Sequence, residues 1–181
     1  MKIFVSHALK DHELIKGVKK TLEPLGITLY IAEHYVDLER TVTEKIENMI
    51  KTSNVALILL TENGFNSNFV RQEIGYINCL KMPCLQLVQV GIEKKLTGFI
   101  FGKDYILYDP IQPQIALDRM RDTLLFYWNQ LYQEQQANQH KIQLMQFENN
   151  KIEYERRANE AKIVIGIFTG VLILGLLATS K

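Results

Sequence analysis

Residues 54–75 read NVALILLTENGFNSNFVRQEIG, and this stretch decides the fold. Its first part, residues 55–60, is a continuous apolar run, which is typical of a strand buried on both faces of a parallel sheet. A polar turn follows, and a helix is predicted over residues 69–81. Phe69 and Glu73 are four positions apart and therefore share a face of that helix. A flat apolar ring beside a single acid suits a nucleotide, because the ring can stack and the acid can hold a sugar.

Strand-like and helix-like segments alternate over the first two thirds of the chain. The predicted strands are 3–5, 27–31, 55–60, 84–90 and 105–107, and the predicted helices are 11–22, 41–50, 69–81 and a long helix after Pro113. Short connections predict an α/β fold, a flavodoxin-like doubly wound five-stranded parallel sheet with helices on both faces. Ligands bind such sheets beyond the carboxyl ends of the strands, near the point where the strand order reverses. The pattern therefore predicts a site in three loops, residues 6–11, 32–40 and 61–68.

The composition excludes several classes of protein. A net charge of +1 over 181 residues gives no global attraction to nucleic acid. Cys79 and Cys84 are predicted to be free thiols in a reducing compartment, and their spacing is not that of a zinc site. The scattered glycines form no phosphate-binding fingerprint, and the histidines and serines form no hydrolase triad. No metal-ligand pattern is recognised, and no signal peptide is predicted at the N-terminus.

Two segments of different character follow the predicted globular domain, residues 1–132. Residues 133–161 are rich in Gln, Asn, Glu and Lys, with a broken apolar heptad. They indicate a helical stalk or weak coiled coil, with a partly disordered linker as the alternative. Residues 162–180 are predicted to form a transmembrane helix, because the uncharged run 163–179 spans about 25 Å as a helix; a buried core helix is the alternative. Only Ser180 and Lys181 follow this run, which predicts a tail-anchored, single-pass membrane protein. The basic residues before the run favour a globular domain in the cytoplasm.

Three segments, in this order, resemble the TIR domain family, and the resemblance covers about residues 1–130. KIFVSHALKD at residues 2–11 is similar to the first box of TIR domains. The second predicted strand and the long polar loop after it, residues 32–40, resemble the family's BB loop. Residues 67–73 are similar to its Ser-x-Trp-x-x-x-Glu segment, with Phe69 in the place of Trp. The resemblance implies the same doubly wound fold.

The resemblance also implies a choice between classes of function. Many bacterial and plant TIR domains cleave NAD, release nicotinamide and form ADP-ribose or its cyclic isomers. In the Thoeris antiphage systems of bacteria, the TIR subunit makes a nucleotide signal for a separate effector. Other TIR domains, notably in animal Toll-receptor adaptors, are scaffolds that recruit other TIR proteins. The glutamate separates these classes, and Glu73 therefore favours a membrane-tethered NAD glycohydrolase or ADP-ribosyl cyclase in antiviral defence. A non-catalytic adaptor and a membrane-disrupting effector are the alternatives.

The resemblance and the chemistry of the reaction together assign roles to six residues. Glu73 is expected to be the catalytic carboxylate, since breaking the nicotinamide–ribose bond develops positive charge that a carboxylate stabilises. No metal or further cofactor is needed, because nicotinamide leaves as a neutral molecule from a cationic ring. The residues expected to bind the substrate are Ser6, His7, Phe69, Arg40 and Arg71.

Five of these six roles have a plainer alternative. Glu73 and the two arginines would be surface ion pairs, Phe69 a core residue and His7 a solvated loop side chain. The resemblance further implies self-association through the BB loop, residues 32–40. The stalk or the anchor would assist it by raising the local concentration of the domain.

Overall fold

A computed structural model of the chain describes residues 1–31, 42–96 and 104–178. In the last helix, side chains are described as far as residue 162 and at residues 165 and 167. The chain forms two compact units, Met1–Trp128 and Asn129–Lys181.

The first unit is built on a five-stranded parallel sheet. Its strands are β1 (Lys2–Ser6), β2 (Thr28–Ile31), β3 (Val55–Leu60), β4 (Cys84–Gln89) and β5 (Tyr105–Tyr108). The strand order is β2-β1-β3-β4-β5, and every neighbouring pair is parallel. This order confirms the predicted doubly wound sheet. The strand order reverses between β1 and β3, so the carboxyl ends of these two strands mark the expected place for a ligand.

The helices alternate with the strands. They are α1 (His12–Leu22), α2 (Val42–Lys51), α3 (Glu62–Asn66), α4 (Asn68–Cys79) and α5 (Pro113–Ala178). Helix α3 corrects the prediction of a simple polar turn between β3 and α4. The Thr61 hydroxyl caps α3 by accepting a hydrogen bond of 3.0 Å from the Gly64 amide. A Cβ at Gly64 would lie 2.2 Å from the Leu59 carbonyl oxygen, so only glycine fits this close approach.

Two apolar cores lie on opposite faces of the sheet. Alternate side chains of the strands pack with α1 and the first part of α5 in one core, and with α2 and α4 in the other. All six residues of β3 are buried, as a central strand covered on both faces requires. Burying each large aliphatic side chain contributes roughly 1.5–3 kcal/mol. The core that contains α2 and α4 therefore holds α4, and with it Glu73, firmly against β1 and β3.

The second unit consists of the remainder of α5. The helix is continuous to Ala178, so the predicted stalk, residues 133–161, is helical in the structure rather than a disordered linker. The stalk side chains Ile142, Met145 and Ile152 are each more than half exposed. Among the described residues, no helix is long and apolar enough to cross a membrane, and the predicted transmembrane segment 162–180 is not supported by this structure.

The two cysteines do not form the disulfide that the sequence made unlikely. Cys79 is exposed and Cys84 is partly buried, and neither forms a disulfide.

Candidate functional site

The centre of the site is a buried carboxyl group. Glu73 lies in the second turn of α4 and is only 8% exposed, and Ser6, the last residue of β1, is fully buried. The Ser6 hydroxyl donates a hydrogen bond of 2.5 Å to Glu73 Oε2. This bond joins the carboxyl end of β1 to α4, at the point where the strand order reverses.

Burial changes the acidity of this group. It raises the pKa of Glu73 from 4.5 to about 7, and the hydrogen bond from Ser6 opposes the rise without cancelling it. Near neutral pH, the group therefore exists both as a carboxylate and as a carboxylic acid. As a carboxylate it can stabilise a developing cation or accept a proton, which are the roles expected of a tuned catalytic group.

Two pockets meet at Glu73, and Phe69 lines both of them. The first, which we call the β1 pocket, has a volume of about 550 Å³; its other lining residues are His7, Ala8, Leu9, Lys10, Glu62, Asn63, Asn66 and Ser67. The second, which we call the α2 pocket, has a volume of about 250 Å³; its other lining residues are Thr43, Ile46, Glu47, Ile50, Gln72 and Tyr76. A ligand that contacts Glu73 can therefore extend in two directions from the carboxyl group.

A buried acid holds the rim of the β1 pocket. Asp11 is 6% exposed and accepts two hydrogen bonds, of 2.8 Å from Thr61 Oγ1 and of 2.9 Å from Asn63 Nδ2. These bonds fasten the loop after β1 to the turn after β3, and Lys10 and Asn63 line the pocket beside them. The sequence reasoning missed this role for Asp11. The signal was available, since Asp11 and Thr61 both follow strands whose carboxyl ends meet at one edge of the sheet.

The α2 pocket has apolar, aromatic and acidic walls. Ile46 and Ile50 of α2 lie on one side, and Tyr76 of α4 lies on the other. The Tyr76 hydroxyl donates a hydrogen bond of 3.3 Å to Glu47 Oε2. Lys51 Nζ also lies 3.3 Å from Glu47 Oε2 and 5.8 Å from the centroid of the Tyr76 ring. This pocket was not predicted, because its walls come from two helices that have no sequence motif in common.

The structure brings some of the predicted substrate residues to these pockets and not others. Phe69 and His7 line the β1 pocket, and Phe69 is 54% exposed rather than part of the core. Ser6 lines neither pocket, because it is buried beneath Glu73, so it holds the carboxyl group instead of facing a ligand. Arg71 also lines neither pocket. Its Nε and Nη2 donate hydrogen bonds of 3.2 and 3.1 Å to the Phe65 carbonyl oxygen at the end of α3, where a helix carbonyl needs a donor.

Two further predictions concern the loop that contains Arg40 and the binding of a metal ion. Arg40 and the predicted BB loop, residues 32–40, lie outside the described residues. Within the ranges 1–31, 42–96 and 104–178, no group of three or more His, Cys, Asp or Glu side chains is placed to hold a metal ion.

Comparisons with known proteins agree with this architecture. A family model of the TIR domain matches residues 3–106, which is more than half of the chain. Among solved structures, the TIR domain of the Toll-related receptor TRR-2 from Hydra magnipapillata is similar, with a TM-score of 0.51 and 17% identity over 73% of this chain and 95% of that chain. The CMP N-glycosidase BcmB from Clostridium botulinum is similar, with a TM-score of 0.52 and 17% identity over 66% of this chain and 97% of that chain.

At these identities the two structures show a shared fold and no more. No curated protein sequence matches the chain. Neither the family model nor these structures single out the Thoeris type of TIR subunit.

Proposed function

The chain belongs to the TIR domain family, and we propose that it cleaves NAD at the bond between nicotinamide and ribose. The products would be nicotinamide and ADP-ribose or a cyclic isomer of it. One observation carries the proposal: a single buried carboxyl group, Glu73, lies where two pockets meet and is held by a hydroxyl from the end of β1. A substrate that spans the two pockets would present its scissile bond to this group.

The proposed reaction depends mainly on one charged group, the carboxylate of Glu73. The electron pair of the C–N bond leaves with the pyridinium ring, which becomes neutral nicotinamide, and positive charge develops on the ribose. The Glu73 carboxylate stabilises that charge, and its low exposure strengthens the interaction because little water screens it. Water, or a nucleophilic atom of the same substrate, then attacks the anomeric carbon. The proton that it loses goes to Glu73, whose pKa of about 7 suits a base at neutral pH.

The rest of the substrate would lie in the β1 pocket. Phe69 offers a half-exposed ring for stacking, and His7 and Lys10 offer polar atoms beside it. We keep Arg40 as a proposed phosphate contact, together with self-association through residues 32–40. Arg71 is a weaker candidate, since its guanidinium group is held by the Phe65 carbonyl oxygen.

Release of nicotinamide from NAD tests the proposal directly. The full chain, clustered on beads or vesicles, should release nicotinamide, and Glu73→Gln should lower the rate by at least about 100-fold, as loss of a central electrostatic group usually does. Glu13→Gln is the matched control, because Glu13 is an exposed carboxylate on α1. A folded, clustered wild type without nicotinamide release would refute NAD cleavage. Equal rates in wild type and Glu73→Gln would remove the assignment of Glu73 while leaving NAD cleavage in place.

A second substrate belongs in the same assay. One protein of similar fold is a CMP N-glycosidase, so CMP should be offered beside NAD, and release of cytosine should be measured. Cleavage of CMP in preference to NAD would keep Glu73 in its role and change the substrate. Cleavage of neither, with capture of a second TIR protein, would favour the adaptor.

The cellular role is a proposal from the resemblance and the sequence. We propose that the product is an ADP-ribose-type signal for a separate effector in antiviral defence, and that the uncharged run 163–179 tethers the domain to a membrane. Expression of wild type and Glu73→Gln in a phage-challenged host tests the first part. Protection by both variants alike would refute it.

A further inference from the structure

We propose that the α2 pocket binds the positively charged pyridinium ring of the substrate, and that it selects a cationic base over a neutral one. This inference rests on the proposed NAD cleavage and names the part of the same site that recognises the departing group. It concerns Glu47 and Tyr76, which no sequence motif identifies.

The size and the walls of the pocket suit a single aromatic ring. Its volume of about 250 Å³ is less than half that of the β1 pocket. Ile46 and Ile50 give it apolar walls, and the rings of Phe69 and Tyr76 also line it. The faces of aromatic rings carry partial negative charge and attract cations, most strongly where the cation is partly removed from water. An aromatic cation therefore gains both apolar contact and electrostatic attraction here.

The two charged residues that line the pocket are both acidic. Glu47 of α2 and Glu73 of α4 line it from two different helices, and no basic residue is among its described lining residues. Lys51 is the nearby cation: it pairs with Glu47 at 3.3 Å and lies 5.8 Å from the Tyr76 ring centroid. The Lys51 side chain is 55% exposed and the Glu47 side chain 40% exposed, so their pair is screened by water and neutralises Glu47 only in part.

The reaction itself changes the fit of the ring. Before cleavage the pyridinium ring carries the positive charge that Glu47, Glu73 and the aromatic faces attract. When the C–N bond breaks, its electron pair goes to the ring, and nicotinamide becomes neutral. The attraction to the pocket then falls at the moment when a positive charge appears on the ribose beside Glu73. A pocket of this charge would hold the substrate more tightly than the product and would speed release of nicotinamide.

A pair of small molecules isolates this effect. Nicotinamide and 1-methylnicotinamide share the ring and the amide, and only the second carries a fixed positive charge. Each is titrated into the full chain, and binding is followed by ligand-observed NMR. We expect wild type to bind 1-methylnicotinamide about tenfold more tightly than nicotinamide. Glu47→Gln should reduce that ratio severalfold, whereas Glu13→Gln, at an exposed carboxylate of α1 that lines neither pocket, should keep it.

The side chain of Tyr76 supplies a second variant. Tyr76→Phe keeps the aromatic face and removes the hydrogen bond to Glu47, so it should keep most of the preference, whereas Tyr76→Leu should lose part of it. Equal binding of the two molecules by wild type, or an unchanged ratio in Glu47→Gln, would overturn the inference.

The two proposals fail separately. A cation preference that depends on Glu47, without NAD cleavage, would support the assignment of the pocket and remove the reaction. NAD cleavage without any cation preference would support the reaction and remove the assignment of the pocket.

Discussion

Replacing Ser6 by alanine should move the pH dependence of the site rather than simply weaken it. Ser6 Oγ donates the 2.5 Å hydrogen bond to Glu73 Oε2, and this bond favours the ionised form of the carboxyl group. Removing it leaves burial unopposed, so the pKa of Glu73 should rise above its present value of about 7. The direction of this change follows because burial raises the pKa of Glu73 and the hydrogen bond from Ser6 lowers it.

The size of the change follows from the strength of the bond. A hydrogen bond to a charged group contributes about 1.5–3 kcal/mol, which corresponds to a rise of about 1 to 2 in pKa. At pH 7, wild type is about half ionised, because its pKa is about 7. The Ser6→Ala variant would be ionised to roughly 1–10%, so its rate at pH 7 should fall by about 5- to 50-fold. Above about pH 9.5, the rates of the two should approach each other.

Two measurements read this pKa. The first is the dependence of kcat/KM for NAD cleavage on pH from 5.5 to 10, whose midpoint reports the free protein. The second is the NMR titration of glutamate side chains labelled with ¹³C, in which Glu73 is identified by its loss in Glu73→Gln. The NMR titration can be carried out whether or not the protein cleaves NAD. Ser53→Ala is the matched control, because its hydroxyl bonds to the Met49 carbonyl oxygen at 2.7 Å, away from the pockets.

One result would refute the reasoning. If the midpoint in Ser6→Ala stays at or below that of wild type while the rate falls equally at every pH, the Ser6 hydroxyl does not control the ionisation of Glu73.

Four further predictions concern stability, the rim of the β1 pocket, Arg71 and the membrane. Because the folded-state pKa of Glu73 is raised to about 7, the free energy of unfolding of wild type should fall as pH rises from 4.5 to 7. Relative to wild type, the unfolding free energy of Glu73→Gln should therefore increase by about 3 kcal/mol between pH 4 and pH 8, as measured by denaturant unfolding. A difference between the two that does not change with pH would contradict this. Asp11→Ala should raise KM severalfold with little change in kcat, and should lower the free energy of unfolding by about 1–3 kcal/mol, since the buried Thr61 hydroxyl and the exposed Asn63 amide lose their acceptor. Arg71→Ala should leave KM unchanged within about twofold and lower the unfolding free energy by about 1 kcal/mol; a large rise in KM would instead make it a substrate contact. Carbonate-washed membranes should retain the full chain and release a chain that ends at residue 159, and release of both would remove the anchor.

The positions of the strands along the chain could be predicted because the strongest patterns are local. Strand β3 was predicted to its exact limits, since six consecutive apolar residues are bounded by polar ones. Helix α3 could not be found in this way. Its five residues are helical because the Thr61 hydroxyl caps them and because Gly64 allows a close approach to the Leu59 carbonyl oxygen. Both causes depend on the packing of the turn against β3, which the sequence pattern does not contain.

Only those parts of the site that depend on residues close together in the sequence could be predicted. Phe69 and Glu73 were expected on one helical face, and they line the same pockets. The bond from Ser6 to Glu73 joins residues 67 positions apart, and the bond from Tyr76 to Glu47 joins residues 29 positions apart. Neither leaves a local pattern, and both depend on how the helices pack on the sheet.

The position of Glu73 favours a chemical role over a scaffolding one. An exposed glutamate would be fully ionised at neutral pH, but water would screen its charge and weaken its effect on a ribosyl cation. A buried glutamate without a donor would be mostly protonated at neutral pH and would seldom carry the charge. Glu73 is 8% exposed and has the Ser6 donor, so burial and ionisation near pH 7 are combined. This arrangement costs about 3 kcal/mol of stability above neutral pH, which glutamine at the same position would avoid. A module that only binds other proteins gains nothing from that loss, whereas a group that stabilises a cation in a pocket requires it.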